Sequence, residues 1–225
     1  MKPIWLSRLA TTFLALGPVI GSAQQLTSRS VISYTEGNVY LDGRRVERSV
    51  THSPLKENSV VLTEDGRVEV LLAPSVTLRL NENSSFRMIA NRPDGTRIEV
   101  QTGSAIVLTD NGAKNTNPFN RRLAERVTVL CEDAVTLSNF GVYRFDVHHI
   151  ALPTHEDYSY CRFKVYKGAA TVQLASASSI VMTGEVMNLN RGCGDHIQVN
   201  EFDVGDIDGM DRWSPQRAES DARRQ

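Results

Sequence analysis

The chain has 225 residues, with 25 Lys plus Arg against 26 Asp plus Glu, a formal charge of −1, and 40% hydrophobic residues. A chain so close to neutral carries no electrostatic footprint for nucleic acid or an anionic membrane surface. Its length suits one large all-β domain or two small ones, with room for a full core.

Met1-Lys2 and Arg8 precede a mostly apolar run over residues 9–20, followed by Gly21-Ser22-Ala23-Gln24. The run of about 12 residues is well short of the roughly 20 that span a bilayer. With small residues at Gly21 and Ala23, it predicts a secretory signal peptide over 1–23, cut after Ala23. The alternative is an uncleaved membrane anchor. A cysteine is absent from the cut region, which argues against a lipoprotein. Loss of Lys2 and Arg8 would leave 23 Lys plus Arg against 26 Asp plus Glu, a formal charge of −3.

The expected location is periplasmic or secreted, where disulfides persist. The three cysteines, Cys131, Cys161 and Cys193, allow at most one internal bridge. Cys131 ends a predicted strand over 127–130 and Cys161 opens another, so these two are the candidate pair. The alternative is three small buried residues, since sequence does not fix connectivity.

From Val31 onward the pattern is β. Alternation over 34–41, 59–63, 67–72, 76–80, 85–89 and from Arg97 predicts the strands of a first half, 31–108. Asp42-Gly43, Asp65-Gly66 and Asp94-Gly95 are hairpin signals, because Gly takes positive φ without cost. Over 76–80, Val76, Leu78 and Leu80 share one face while Thr77 and Arg79 share the other, which predicts a packed face and a wet one. Residues 110–120, rich in Asn, predict the linker loop, 109–126. Strands over 127–130, 134–137, 141–147, 161–166, 169–174, 179–182 and 185–189 make a second half, 127–200, interrupted by an expected loop at 148–158 around Pro153.

After Phe202 the character changes. Asp206, Asp208, Asp211, Arg212 and Trp213 form an acidic and aromatic stretch with helical leanings within a C-terminal segment, 201–225. Ser214-Pro215 reads as a cap and the start of a further turn, and from Ala218 the charged tail is expected to be disordered. Trp213 is expected to dock this segment on the β body, the alternative being a place in a ligand-binding face.

One stretch is written twice. Arg97-Ile98-Glu99-Val100-Gln101-Thr102-Gly103-Ser104-Ala105-Ile106-Val107 matches Arg162-Phe163-Lys164-Val165-Tyr166-Lys167-Gly168-Ala169-Ala170-Thr171-Val172 at an offset of 65 residues. The same offset sets Leu78-Arg79-Leu80 on Tyr143-Arg144-Phe145, and Val70 and Leu72 on Val135 and Leu137, which predicts one register kept without insertion. A fixed-offset repeat of short strands predicts two related halves that stack.

The ordered motifs resemble the FecR-like domain of bacterial envelope proteins, over about 31–189. They are Glu36-Gly37-Asn38-Val39, the run from Leu62-Thr63-Glu64-Asp65-Gly66 to Leu72, Val76-Thr77-Leu78-Arg79-Leu80 leading into Asn83-Ser84-Ser85, Val100-Gln101-Thr102-Gly103-Ser104-Ala105, Gly141-Val142-Tyr143-Arg144-Phe145-Asp146-Val147 and Val165-Tyr166-Lys167-Gly168. The ending, with Asp211-Arg212-Trp213-Ser214, is similar to that of stand-alone secreted members. The resemblance implies a non-catalytic module in envelope signalling or transport regulation, without cofactor, whose partner is an envelope protein or surface polymer. The chain departs from the regulator that names the family in lacking a full membrane span, and from the usual Arg-Gly-Thr of the second repeat at Asn139-Phe140-Gly141-Val142-Tyr143-Arg144.

Residues that bear chemistry are few. No nucleophile elbow, zinc helix, phosphate-binding glycine loop or Cys-x-x-Cys pair occurs. Asp146, His148 and His155, beside His149, Glu156 and Asp157, are weak candidates for a divalent metal, weighed against a solvated loop that holds histidines. Glu69 and Glu99 read as wet strand positions. The repeated pairs Arg79 with Arg144 and Arg97 with Arg162 would project from similar surfaces toward an acidic partner, or else pair with Glu99 or Asp146 and guard the sheet edges.

The reading is therefore an all-β protein of two related strand-rich halves in a β-roll, short solenoid or sandwich, with a short C-terminal helical segment. It is expected to act as an interaction module with no catalytic residues. The alternatives are a carbohydrate- or peptidoglycan-binding domain, which needs exposed aromatics when aromatics are 7% of residues, and an enzyme on a β-helix scaffold.

Overall fold

A computed structural model describes residues 30–47, 52–92, 95–110, 126–138, 140–151, 157–174, 177–190 and 198–223. The expected signal peptide, His155, Cys193 and nearly all of the linker loop lie outside these residues. The strands in chain order are β1 (Val31–Glu36), β2 (Val39–Leu41), β3 (Arg44–Arg45), β4 (Ser53–Pro54), β5 (Val60–Thr63), β6 (Arg67–Ala73), β7 (Val76–Leu80), β8 (Ser84–Arg92) and β9 (Gly95–Thr109). There follow β10 (Val127–Cys131), β11 (Asp133–Leu137), β12 (Gly141–Ala151), β13 (Asp157–Lys167), β14 (Ala169–Gln173), β15 (Ser178–Met182), β16 (Glu185–Asn190), β17 (Val199–Glu201) and the helix α1 (Gly209–Ala222). The fold is all-β with one short C-terminal helix. No helix among the described residues is long and apolar enough to cross a membrane.

The strands form two open layers joined through β9. Sheet I runs β4-β1-β6-β7-β9-β12-β13-β16-β17, and sheet II runs β3-β2-β5-β8-β9-β10-β11-β14-β15. The only parallel pair among the described strands is β9 with β10. Alternation along each strand sends one set of side chains between the layers. There Val70, Leu78, Val107, Tyr143, Phe145 and Phe163 of sheet I meet Val61, Phe86, Ile98, Val129, Val135 and Val172 of sheet II in one buried cluster.

The corners explain the motifs. β9 pairs with β8 in sheet II as far as Thr102 and with β7 and β12 in sheet I from Gly103. At Gly103 the backbone turns with φ +76, and a Cβ would lie 2.2 Å from Ser84 Oγ and 2.5 Å from the Asn83 carbonyl oxygen, where β7 passes into β8. Two chain segments thus change layer side by side, which only a residue without Cβ allows. Gly168, φ +92, does the same between β13 and β14 beside Phe140 and Gly141, where β11 passes into β12. Gly37 and Gly66 sit together at a third corner. Asp65-Gly66 is therefore not a hairpin: it carries the chain from sheet II to sheet I, whereas Asp42-Gly43, with φ 51 and 75, closes the β2–β3 hairpin as expected.

The strand pairings do not follow one offset. Leu78 pairs with Val107 in sheet I, and Val135 pairs with Val172 in sheet II. Val107 to Val172 is the offset of 65, but Leu78 to Val135 is 57, so the upstream match at 65 is overturned. The eight extra residues lie in the β12–β13 hairpin, which is longer than β8–β9 and keeps strand pairing to Ala151 and Asp157, through most of the expected loop at 148–158. The two pairs also lie in different layers. Cys131 on β10 and Cys161 on β13 form a disulfide across the layers, with Cα atoms 5.8 Å apart. By restricting a 30-residue loop of the unfolded chain it contributes roughly 3–4 kcal/mol.

Gly168→Ala is expected to destabilise the chain by about 2–4 kcal/mol, since its Cβ would come 2.4 Å from the Phe140 carbonyl oxygen. Gly43→Ala, at φ +75 with nothing within 4 Å, should cost only about 1–2 kcal/mol. Urea midpoints of the two variants separate the crowding from the backbone strain.

Candidate interaction surface beneath the helix

The outer face of sheet I is charged and in part covered. On β7 and β12, Arg79 and Arg144 pair with Ile106 of β9 from opposite sides, so the two arginines lie on one face with one strand between them. They are 3% and 7% exposed, because α1 lies over them. At Arg79 the face expected to be wet is therefore buried.

Helix α1 begins where its local chemistry dictates. Asp208 is the N-cap: its Oδ1 accepts the Met210 N–H (2.8 Å) and the Asp211 N–H (3.1 Å), while Asp211 Oδ2 accepts the Asp208 N–H (3.1 Å). This reciprocal box satisfies amides that no helical carbonyl reaches. Met210, Trp213, Ser214 and Arg217 form the buried stripe, at spacings of three, four and seven. Pro215 lies inside the helix, which runs without interruption to Ala222; the expected second cap at Ser214 and disordered tail from Ala218 are not found.

Two ionic centres join sheet to helix. In the first, Arg79 Nε and Nη2 each lie 2.9 Å from Glu69 Oε2, and Arg79 Nη1 donates to the Ser214 carbonyl and hydroxyl oxygens. Glu69 Oε1 also accepts from Ser33 Oγ at 2.9 Å, with Arg217 Nη2 at 3.5 Å. In the second, Arg144 Nε donates to Asp146 Oδ1 and Oδ2 (2.9 and 3.1 Å), Nη2 to Asp208 Oδ2 (2.6 Å) and Nη1 to Asp211 Oδ2 (2.7 Å). Ser104 Oγ donates to Asp146 at 2.6 Å. Cation–π contacts add to the seam between helix and sheet: the Arg217 guanidinium lies 4.1 Å from the Tyr34 ring, and that of Arg67 lies 5.6 Å from the Trp213 ring.

The electrostatics follow from this packing. Burial alone would lower the Arg144 pKa, but the hydrogen bond to Asp208 and the charges of Asp146 and Asp211 raise it, so the guanidinium stays charged. Burial would likewise raise the Asp208 carboxyl, yet hydrogen bonds from Arg144 and from the backbone of Asp211 and Met210 hold its pKa at about 2, against 3.8. Burial and the Asp211 charge push the Tyr166 hydroxyl up.

The other residues singled out in the sequence are dispersed. Arg162 is exposed on the same face of sheet I, opposite Asp146, while Arg97 is exposed on sheet II. Only Arg79 and Arg144 of the four come together, and both are covered by α1. Glu99 pairs with Arg87. Asp146 is occupied by Arg144 and Ser104, His148 stacks on Tyr160 with centroids 4.8 Å apart, and among the described residues no group of three His, Cys, Asp or Glu side chains could hold a metal. The contributions of Glu69, Asp208, Ser214 and Arg217 escape a reading by strand alternation. The Asp208-x-x-Asp211 box and the Met210, Trp213, Ser214, Arg217 stripe are the signals that carry them.

No family model matches the sequence, and no curated protein matches it. Among solved structures, two crystal structures of a "putative anti-sigma factor" from Parabacteroides distasonis ATCC 8503 align at 16% and 15% identity, each with a TM-score of 0.44. Each alignment covers 64% of this chain and 59% of the other, so the chain spans about three fifths of that neighbour's length. A likeness at this level carries no argument about function.

Arg144→Ala leaves Asp146 buried without its cation, so it is expected to cost about 3–5 kcal/mol and to shift Trp213 emission to the red as the helix lifts. Arg162→Ala, at an exposed position, should do neither; thermal unfolding and fluorescence check both. The acid limb gives a second test. Because the folded pKa of Asp208 is below its unfolded value, its contribution is fully present above about pH 4 and fades as pH falls toward about 2. Across that window Asp208→Asn should lose less stability than the unsubstituted chain.

Proposed function

We propose that the chain is a non-catalytic interaction module of the FecR-like kind, working in the periplasm or outside the cell, and that it binds an envelope protein or surface polymer in signalling or transport regulation. One observation carries this reading: the buried carboxylates and guanidiniums of sheet I are spent on one another and on the helix. Glu69, Arg79, Arg144 and Asp146 are saturated by internal hydrogen bonds. A general acid or base must reach a substrate proton; these groups reach only the chain itself.

Further support comes from the motifs of the resemblance, which coincide with the layer-crossing corners at Gly37, Gly66, Gly103 and Gly168. Those corners, with the cross-layer disulfide, favour a rigid body that presents surfaces. Arg162, with the neighbouring His148–Tyr160 stack, and Arg97 on the opposite layer are the members of the sequence-derived set open to a partner. The stacked pair also favours a second reading, binding of carbohydrate or peptidoglycan, which commonly uses an aromatic platform beside hydrogen-bonding groups.

Affinity capture from an envelope extract on the immobilised chain is expected to recover one specific protein, with recovery reduced by Arg162→Ala. Retention of cell-wall polymer in its place, lost in His148→Ala, would favour the second reading and contradict a protein partner.

A further inference from the structure

Sheet II ends at β15, which pairs with β14 alone among the described strands. Two contacts fix which of its backbone groups face outward. The Leu174 N–H donates to the Ala177 carbonyl at 2.8 Å, closing the β14–β15 hairpin, and the Met182 N–H donates to Glu185 Oε2 at 2.7 Å and not to β14. Antiparallel ladders alternate. Ser178, Ile180 and Met182 therefore turn their N–H and C=O groups away from β14.

The side chains of the same residues lie on the outer face. Ile180 is 64% exposed, the highest value among the described large hydrophobics, and Met182 is 51% exposed, while Val181 between them is buried. An edge like this is usually blunted by lysine, proline or a bulge. The strand Ser178-Ser179-Ile180-Val181-Met182 has neither a charge nor a proline, and its pairing with β14 is regular. Its one guard is the Glu185 carboxylate on the outermost amide.

We propose that β15 is a homotypic docking edge, on which β15 of a second copy adds as an antiparallel strand about a twofold axis through Ile180. In that register each Ile180 faces its counterpart, and Ser178 faces Met182 of the second copy. Every outward N–H then meets an outward C=O, and the exposed Ile180 and Met182 side chains cover one another. The uncharged strand is self-complementary: an identical copy brings no like charge to it, and the twofold sends the two Glu185 side chains to opposite ends. Pairing closes at two copies, because the other edge strands, β3, β4 and β17, are two or three residues long. Glu185 competes with the second copy for the Met182 amide and tunes the affinity.

Sedimentation velocity over a concentration series of the full chain, with amide exchange at matched concentrations, tests this. A concentration-dependent dimer is expected, in which the Ile180 amide gains protection as dimer forms. Ile180→Lys, at an exposed site that leaves the circular dichroism unchanged, should weaken dimerisation by about tenfold or more, and Glu185→Ala should strengthen it. A chain that stays monomeric, a dimer that Ile180→Lys does not weaken, or a monomer whose β15 accepts only a strand from another protein would each overturn the proposal.

Discussion

The guanidinium of Arg144 ties together parts of the chain that are otherwise unrelated. From the middle of β12 it donates to Asp146 on its own strand and to Asp208 and Asp211, the two carboxylates that cap α1. The capping box therefore does two jobs: it starts the helix and presents both acids to the sheet. The positive end of the helix, which favours anions in its first turn, limits the repulsion between two aspartates held so close. Remove the cation and three acids crowd a partly buried space. Because desolvation offsets much of the Coulomb attraction in such a cluster, its main effect is to fix where the helix sits.

A second device fixes the body beneath. Each corner passes two chain segments between the layers at once, and the glycine at Gly103 or Gly168 allows the close approach. The disulfide between Cys131 and Cys161 joins the layers. With the layers set, Arg79 and Arg144 stand on either side of Ile106 and meet one helix at different points, Arg79 at Ser214 and Arg144 at Asp208 and Asp211. Helix position thus descends from strand register, and strand register from the corners. The polar stripe of α1, with Ser214 and Arg217 where an ordinary amphipathic helix would place leucines, matches a sheet face that offers charges.

Local pattern carried the strands well, since alternation reports which side chains a pleated chain buries. It fails where a distant element intervenes. Arg79 alternates as a solvent-facing residue should, and does face outward from its sheet; the helix that covers it comes from residues 135 positions later. Asp42-Gly43 and Asp65-Gly66 are the same dipeptide in similar surroundings, yet one turns back within a sheet and the other leaves it. The difference lies in which strand waits beyond, which no short window contains. From Arg97 and Arg162 onward the two similar stretches each run through a glycine corner, at Gly103 and Gly168, 65 residues apart. Upstream the longer β12–β13 hairpin broke the register, and the coincidence at offset 65 set Arg79 on Arg144, residues that share a face without being structural equivalents.

If the Arg144 centre holds the helix to the sheet, its members must be energetically coupled. A double-mutant cycle on Arg144→Met and Asp211→Asn, measured by urea unfolding at neutral pH and low salt, tests this directly. A coupling energy of about 1–3 kcal/mol is predicted, the double variant being less destabilised than the two single effects combined. Additive effects, with coupling indistinguishable from zero, would mean that the helix stays in place for other reasons and would contradict the account.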